Sequence, residues 1–255
     1  MCYEREFKLI DLIHRIVSKI WHLPLVQFFI PAKFYCSIEY WRRLDRKLNL
    51  KNPRTFNEKI QWLKLYDHNP IYPKLVDKYE VRQYVKDMIG EKYLVPLIGI
   101  YNTVEEIPFQ ELPKEYVLKC THDSGTAIIK NELCQLTVED IKQLLKKGLK
   151  RKYYYEHREW PYKFIKPRII CEKYLVDESG YELKDYKIHC FNGEPKLIQV
   201  DFGRFSIHRR NLYDMQWNFI DASIMYPNDP STEIKRPHKL QEMLEIASVL
   251  SYSFP

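Results

Sequence analysis

The segment Val117-Leu118-Lys119-Cys120-Thr121-His122-Asp123-Ser124-Gly125-Thr126-Ala127-Ile128-Ile129-Lys130 sets a polar, glycine-bearing stretch between two β-favouring runs. Val117 and Leu118 lead into Lys119, and Ile128 and Ile129 lead into Lys130, so the flanks read as strands and the Asp-Ser-Gly-Thr between them as a hairpin tip. Such a tip exposes backbone N–H groups. Those donors, with two ammonium groups carried on strands, suit a polyphosphate, because amides wrap its oxygens while lysines neutralise its charge. An ordinary surface hairpin has the same ingredients, and this loop holds a single glycine. The rest of the chain has to decide.

A chain of 255 residues, 45% hydrophobic and 29% charged, is long enough to bury a sizeable core and suits a soluble enzyme of one or two domains. The net charge of +7 favours an anionic partner, whether nucleotide, nucleic acid or membrane surface. The excess is densest in Lys142-Gln143-Leu144-Leu145-Lys146-Lys147-Gly148-Leu149-Lys150-Arg151-Lys152. Neither Gly-x-Gly-x-x-Gly nor Gly-x-x-x-x-Gly-Lys-Ser/Thr occurs, so a doubly wound dinucleotide fold and a P-loop lack support. The six cysteines, at positions 2, 36, 120, 134, 171 and 190, contain no Cys-x-x-Cys pair and read as reduced thiols of a cytoplasmic protein, several of them buried on strands. Zinc is not expected. Leu9, Leu12, Ile13, Ile16, Val17 and Ile20 share one helical face opposite Lys8, Asp11, Arg15, Lys19 and His22. Two readings stay open: residues 8–30 make a peripheral contact with the inner face of the cell membrane, or that face packs on the protein's own core.

Along the chain, residues 1–50 read as a helical N-terminal region and residues 51–113 as a mostly helical region before the lysine loop. Thr55 with Glu58 forms a capping-box pattern that should open a helix through Leu65, and a second helix is expected over about residues 72–88. A strand is expected at residues 94–101, and Thr137-Val138-Glu139-Asp140 should open a helix reaching about Arg151. Strands then recur at about 168–175, 184–191 and 195–201, with turns at Glu178-Ser179-Gly180 and Asn192-Gly193, and a helix begins near Lys239. Helices first and antiparallel strands later imply an α+β fold. A small lobe over 114–168 and a second lobe over 169–255 complete the expected division.

In that order, the strand–loop–strand with Lys119 and Lys130, a helix, then Ile169-Ile170-Cys171-Glu172-Lys173-Tyr174-Leu175 and Lys184-Asp185-Tyr186-Lys187-Ile188 resemble the nucleotide site of ATP-grasp proteins. The segments Leu50-Lys51-Asn52-Pro53-Arg54-Thr55-Phe56-Asn57-Glu58-Lys59-Ile60-Gln61-Trp62-Leu63-Lys64, Arg158-Glu159-Trp160-Pro161-Tyr162-Lys163 and Phe191-Asn192-Gly193-Glu194-Pro195-Lys196 look like the TupA-like family of ATP-grasp proteins, from bacterial surface-polysaccharide gene clusters. The resemblance runs from about residue 40 to the end. It implies two α+β lobes with antiparallel sheets holding ATP between them, and ATP-dependent carboxylate–amine ligation through an acylphosphate. It also implies Mg²⁺ with the ATP, and a polysaccharide precursor or amino acid as acceptor.

By the same resemblance, Lys119 and Lys130 meet the phosphates and the adenine side, and Ser124, Gly125 and Thr126 cover the triphosphate. Glu172, Tyr174 and Leu175 form the adenine hinge, Glu182 or Asp185 takes the ribose, and Lys187 lies near the transferred phosphoryl group. Each alone also reads as an ordinary surface charge or cross-strand pair. Arg158, in the aromatic strip Tyr153-Tyr154-Tyr155-Glu156-His157-Arg158-Glu159-Trp160, is a candidate for an anionic acceptor or a phosphate; the strip suits stacking on sugars or bases, or packing between lobes. Arg204, His208, Arg209 and Arg210 form a second cationic cluster.

The family's magnesium ligands are expected on late strands of the second lobe, beyond Pro255, so that lobe reads as incomplete, the metal site as missing and the activity as doubtful. A glycosyltransferase is an alternative, against which no Asp-x-Asp is present. A non-catalytic module for nucleic acid or a membrane surface is another, motivated by the basic run at 142–152; Ile141, Leu144, Leu145 and Leu149 make that run an amphipathic helix with a solvated basic face, so no specific nucleic acid is expected.

Overall fold

The computed structural model describes residues 28–180, 182–204 and 206–254. The chain divides into two compact units, Met1–Val81 with Leu97–Glu172, and Arg82–Pro96 with Lys173–Pro255. This differs from the division expected along the sequence, because residues 82–96 leave their neighbours to join the second unit. The α+β class is the one observed.

In the first unit, α1 (Ala32–Leu44) is followed by α2 (Phe56–Tyr66). The cap of α2 is reciprocal: the Thr55 hydroxyl accepts from the Glu58 amide at 3.3 Å, and the Glu58 carboxylate accepts from the Thr55 amide at 2.9 Å. The single helix expected over residues 72–88 is instead two, α3 (Tyr72–Val76) and α4 (Val81–Ile89). The break has a local cause. The Asp77 carboxylate accepts from the amides of Tyr79 at 2.8 Å and Glu80 at 3.2 Å, offering the backbone an alternative to the helical ladder.

The first sheet has the order β1 (Leu97–Tyr101), β4 (Ile169–Lys173), β2 (Tyr116–Cys120), β3 (Ala127–Lys130), with β1–β4 and β2–β3 antiparallel. Leu118, Cys120, Ile128, Ile169 and Cys171 pack with Ile141 and Leu145 of α5 (Val138–Leu149) to form its core. Thr137 and Asp140 cap α5 reciprocally, at 3.1 and 2.9 Å. Near the other end, Gly148 lets the helix lie directly on β2 and the loop after it: a Cβ there would stand 2.8 Å from both Cys120 Sγ and Thr126 Cγ2. The short helix α6 (Tyr154–His157) follows.

The second unit carries β5 (Asp185–Phe191), β6 (Glu194–Phe202), β7 (Arg209–Tyr213) and β8 (Phe219–Ile220), paired antiparallel in that order. Asn192 and Gly193 turn β5 into β6 with φ of 51° and 78°, the positive pair that a two-residue hairpin needs. Neither β7 nor β8 was expected. Arg209 and Arg210, which the sequence groups with Arg204 and His208 in a cationic cluster, open β7 instead. Ile198, Val200, Phe202 and Tyr213 join Ile234 and Leu240 in the core, and α7 (Leu240–Ser251) packs on β5 and β6.

Among the described residues all five cysteines are free and no helix is long and apolar enough to cross a membrane. Cys2 and the amphipathic pattern over residues 8–27 lie outside the described residues.

Gly148→Ala should cost about 1–3 kcal/mol, because a methyl group overpacks the seam between α5 and the loop. Urea denaturation measures it, and an unchanged midpoint would contradict this packing.

Candidate functional site

The loop between β2 and β3 is half sunk into the first unit rather than raised as a free tip. Thr121, His122 and Asp123 are buried, whereas Ser124 and Gly125 are exposed. Other segments hold it down. The Lys78 ammonium donates to the carbonyls of Cys120, at 2.7 Å, and of Asp123, while the Lys78 amide donates to the Thr121 carbonyl at 3.2 Å. From the far side Arg151 donates to the Ser124 carbonyl at 2.6 Å and reaches the Asp123 carboxylate at 3.4 Å. Glu156 grips the same guanidinium with both oxygens, each at 2.6 Å. Arg168 links the frame together: its carbonyl accepts from the Thr121 amide at 2.9 Å, and its guanidinium donates to Asp77 at 3.0 Å and Glu80 at 2.7 Å.

Gly125 has a φ of 104°, which a side chain would strain. The amides of Ser124, Gly125 and Thr126 donate to no described residue. Buried polar atoms without a hydrogen-bond partner among the described residues also gather here: Thr121 Oγ1, His122 Nδ1 and Asp123 Oδ1, the last 3.8 Å from the Lys78 ammonium. Burial pushes the Cys120 thiol up to about 12 and the His122 imidazole below its ordinary value, so both are neutral near pH 7. Burial also lowers the Lys78 ammonium, against the pull of Asp123, and the Lys119 charge adds to that lowering. A partly desolvated ammonium therefore lies at the base of a loop with open amides.

The structure brings Lys119 to Glu172, with Nζ 2.7 Å from Oε2. It does not bring Lys130 to them. Tyr116 pairs with Lys130 and Leu118 with Ile128, while Lys119 pairs with Ala127, so the register puts the two lysines on opposite faces of the sheet. Lys130 bonds the carbonyls of Cys134 at 3.4 Å and Leu136 at 3.1 Å, and the expectation that both lysines meet one polyphosphate is corrected accordingly. Arg158 is corrected too. It is 2% exposed, enclosed by the rings of Tyr35, Tyr154 and Tyr155, and it donates to the Ile30 carbonyl at 3.3 Å, so it is not open to an anionic acceptor. The tyrosine strip packs inward around it.

Of the residues in the second unit, Tyr174 and Leu175 follow β4 as half-buried, non-strand positions, and Glu182 accepts from the Gly203 amide at 2.9 Å. The register sets Asp185, Lys187, Gln199, Asp201 and Arg210 on the polar face of the sheet. Asp201 is wholly buried there and accepts from Arg210 at 2.7 Å, Gln199 at 2.7 Å, Lys187 at 2.8 Å and His208 at 2.9 Å. Burial alone would raise its carboxyl, yet these bonds hold it well below the usual carboxylate range. Lys187 and Arg204 also converge on Asp185. His208 stacks on Tyr226 with 3.8 Å between centroids, so Arg204, His208 and Arg210 of the second cationic cluster belong to an ordered network around Asp201.

The family model for TupA-like ATP-grasp proteins matches residues 58–255. The chain belongs to that family. An ATP-grasp domain is an ATP-dependent, ligase-like domain, and ATP is the partner this membership implies. No curated protein and no solved structure is a match to the chain. Magnesium accompanies ATP in the family, but among the described residues no group of three or more His, Cys, Asp and Glu side chains is placed to hold a metal ion. Asp201, the carboxylate with most partners, is ringed by cations and does not fit Mg²⁺. Sequence reasoning missed Lys78, which sits in a run that looks mid-helical; the Asp77 beside it, able to cap the amides that follow, was the available signal.

Because Asp201 titrates lower in the folded state than its unfolded value of about 3.9, its contribution is present above that pH and is lost as pH falls through the folded value. Denaturant unfolding should show stability declining below about pH 4. Asp201→Asn should flatten that acid limb and cost about 3–5 kcal/mol at pH 7 by leaving buried Arg210 uncompensated. An acid limb as steep as the wild type's would contradict this.

Proposed function

We propose that this protein is an ATP-dependent carboxylate–amine ligase acting in the cytoplasm on a precursor of a bacterial cell-surface polysaccharide. The observation that carries the nucleotide part is the Lys78 ammonium held under the loop with open amides at Ser124, Gly125 and Thr126, with Lys119 on the strand that leads into it. A polyphosphate gives these amides acceptors and the two ammonium groups a counter-charge. Glu172, already paired with Lys119, then exchanges that cation for the nucleotide. Tyr174 and Leu175 are proposed for the adenine, Glu182 or Asp185 for the ribose, and Lys187 for the transferred phosphoryl group.

In the proposed reaction a substrate carboxylate oxygen attacks the γ-phosphorus and the bond to ADP breaks, giving an acylphosphate. An amine then attacks the acyl carbon, phosphate leaves with the electrons of the C–O bond, and the amine gives up a proton to yield the amide. Two anions must approach one another in the first step, so fixed cations that need no reorganisation contribute most. Exposed Phe28, Phe29 and Phe34, beside Lys33, support an N-terminal segment that meets the membrane's inner face.

Calorimetry should give ATP binding that Lys78→Ala or Lys119→Ala each weakens about tenfold to hundredfold. Lys130→Ala should leave it unchanged. Failure of ATP to bind, or binding of a UDP-sugar or RNA instead, would refute the ligase reading and favour one of the other two.

A further inference from the structure

A cavity of about 340 Å³ lies in the first unit, walled by α1, α2 and the end of α6. Most of its lining precedes residue 58, where the family match begins, and it lies apart from the glycine loop. Tyr35 and Tyr40 form a buried aromatic floor. Tyr35 is locked there, since its hydroxyl donates to the Glu156 carbonyl at 2.7 Å and its ring lies 4.6 Å from the Arg158 guanidinium.

The polar groups around this floor are of two kinds. Glu39 and Glu156 are already spent: the first accepts from Arg42 and Arg43, each at 3.1 Å, and the second holds Arg151. Asn57, Gln61, Lys64 and Glu159 line the same cavity, yet their side chains make no hydrogen bond or ion pair with other described residues. Asn57 and Gln61 lie one turn apart on α2, so both amides project from one helical face. Two planar amides, one ammonium and one carboxylate thus line one cavity with the two phenols and offer it both donors and acceptors, with one unspent charge of each sign.

We infer that this cavity is a saccharide site, and that the sugar it takes bears an ionised substituent. Vicinal hydroxyls match side-chain amides, which donate and accept in one plane, and the apolar face of a pyranose lies on the phenol floor. A carboxyl on the sugar is met by Lys64, and an amino group by Glu159. The lining argues against other occupants. A purine wants an apolar slot, and an amphipathic helix wants an apolar groove, whereas the exposed apolar side chains here are Ile60 and Leu44 alone. The volume lies at the lower end of the range for small-molecule sites, which suits one or two sugar rings.

The site has a route to the nucleotide loop inside the same unit. Glu156 lines the cavity and fixes Arg151, and Arg151 holds the Ser124 carbonyl. The inference itself does not need the nucleotide reading, because sugar binding is measured without ATP.

Saturation-transfer NMR on the full chain, with glucose, glucuronate and glucosamine as probes, tests it. Transfer to glucuronate or glucosamine is expected to exceed transfer to glucose. Asn57→Ala and Gln61→Ala should each weaken it about threefold to tenfold. Lys64→Met should weaken glucuronate selectively and Glu159→Gln glucosamine selectively, with thermal midpoints unchanged because none of the four side chains hydrogen-bonds or ion-pairs with another described residue. Absence of transfer to either charged sugar, no preference over glucose, or full binding in the Asn57→Ala/Gln61→Ala double variant would overturn the proposal.

Discussion

The Lys78 ammonium, drawn under the loop between β2 and β3 by the carbonyls of Cys120 and Asp123, is the contact on which the rest of the first unit's site depends. A half-buried cation has few ways to recover its lost hydration, and backbone carbonyls are one of them. The planar peptide that places the Asp123 carbonyl on this ammonium points the Ser124 amide the other way. The loop therefore presents open N–H groups at Ser124 and Gly125, while its first three residues are buried. Arg151 and Arg168 complete the clamp, and Glu156 and Asp77 in turn hold those guanidinium groups. The preorganisation is electrostatic, and it comes from four separate segments.

The second unit uses the inverse arrangement. There a carboxylate, Asp201, is buried, and the cations gather round it. The sheet's two faces divide accordingly, one packed with Ile198, Val200, Tyr213 and the helix above them, the other wired through Gln199, Asp201 and Arg210. A buried charge of this kind does more to impose one arrangement than to add net stability, since desolvation offsets much of the attraction.

The tyrosine strip illustrates a third use of charge. Arg158 is enclosed by aromatic rings whose faces attract cations, so the strip is satisfied from within. Tyr35, held by Arg158 and by the Glu156 carbonyl, becomes a rigid floor, and the polar ends of α2 are left facing the space above it.

Local chemistry was legible in the residues themselves. The capping boxes at Thr55 and Thr137, the Asn192-Gly193 turn, the alternation of β2, β5 and β6 and the α+β class all follow from short-range rules, and the order of motifs was enough to indicate the family. Partner choice was not legible. That Lys130 turns away from Lys119 depends on strand register, that Arg158 is buried depends on α1 lying against α6, and that Lys78 reaches the loop depends on a helix break 42 residues upstream of Cys120. The sequence by itself determined which elements form, because propensity and capping act within a few residues. Only the tertiary structure decided which charges meet, because a buried ion takes whichever partner the packing of distant segments brings within reach.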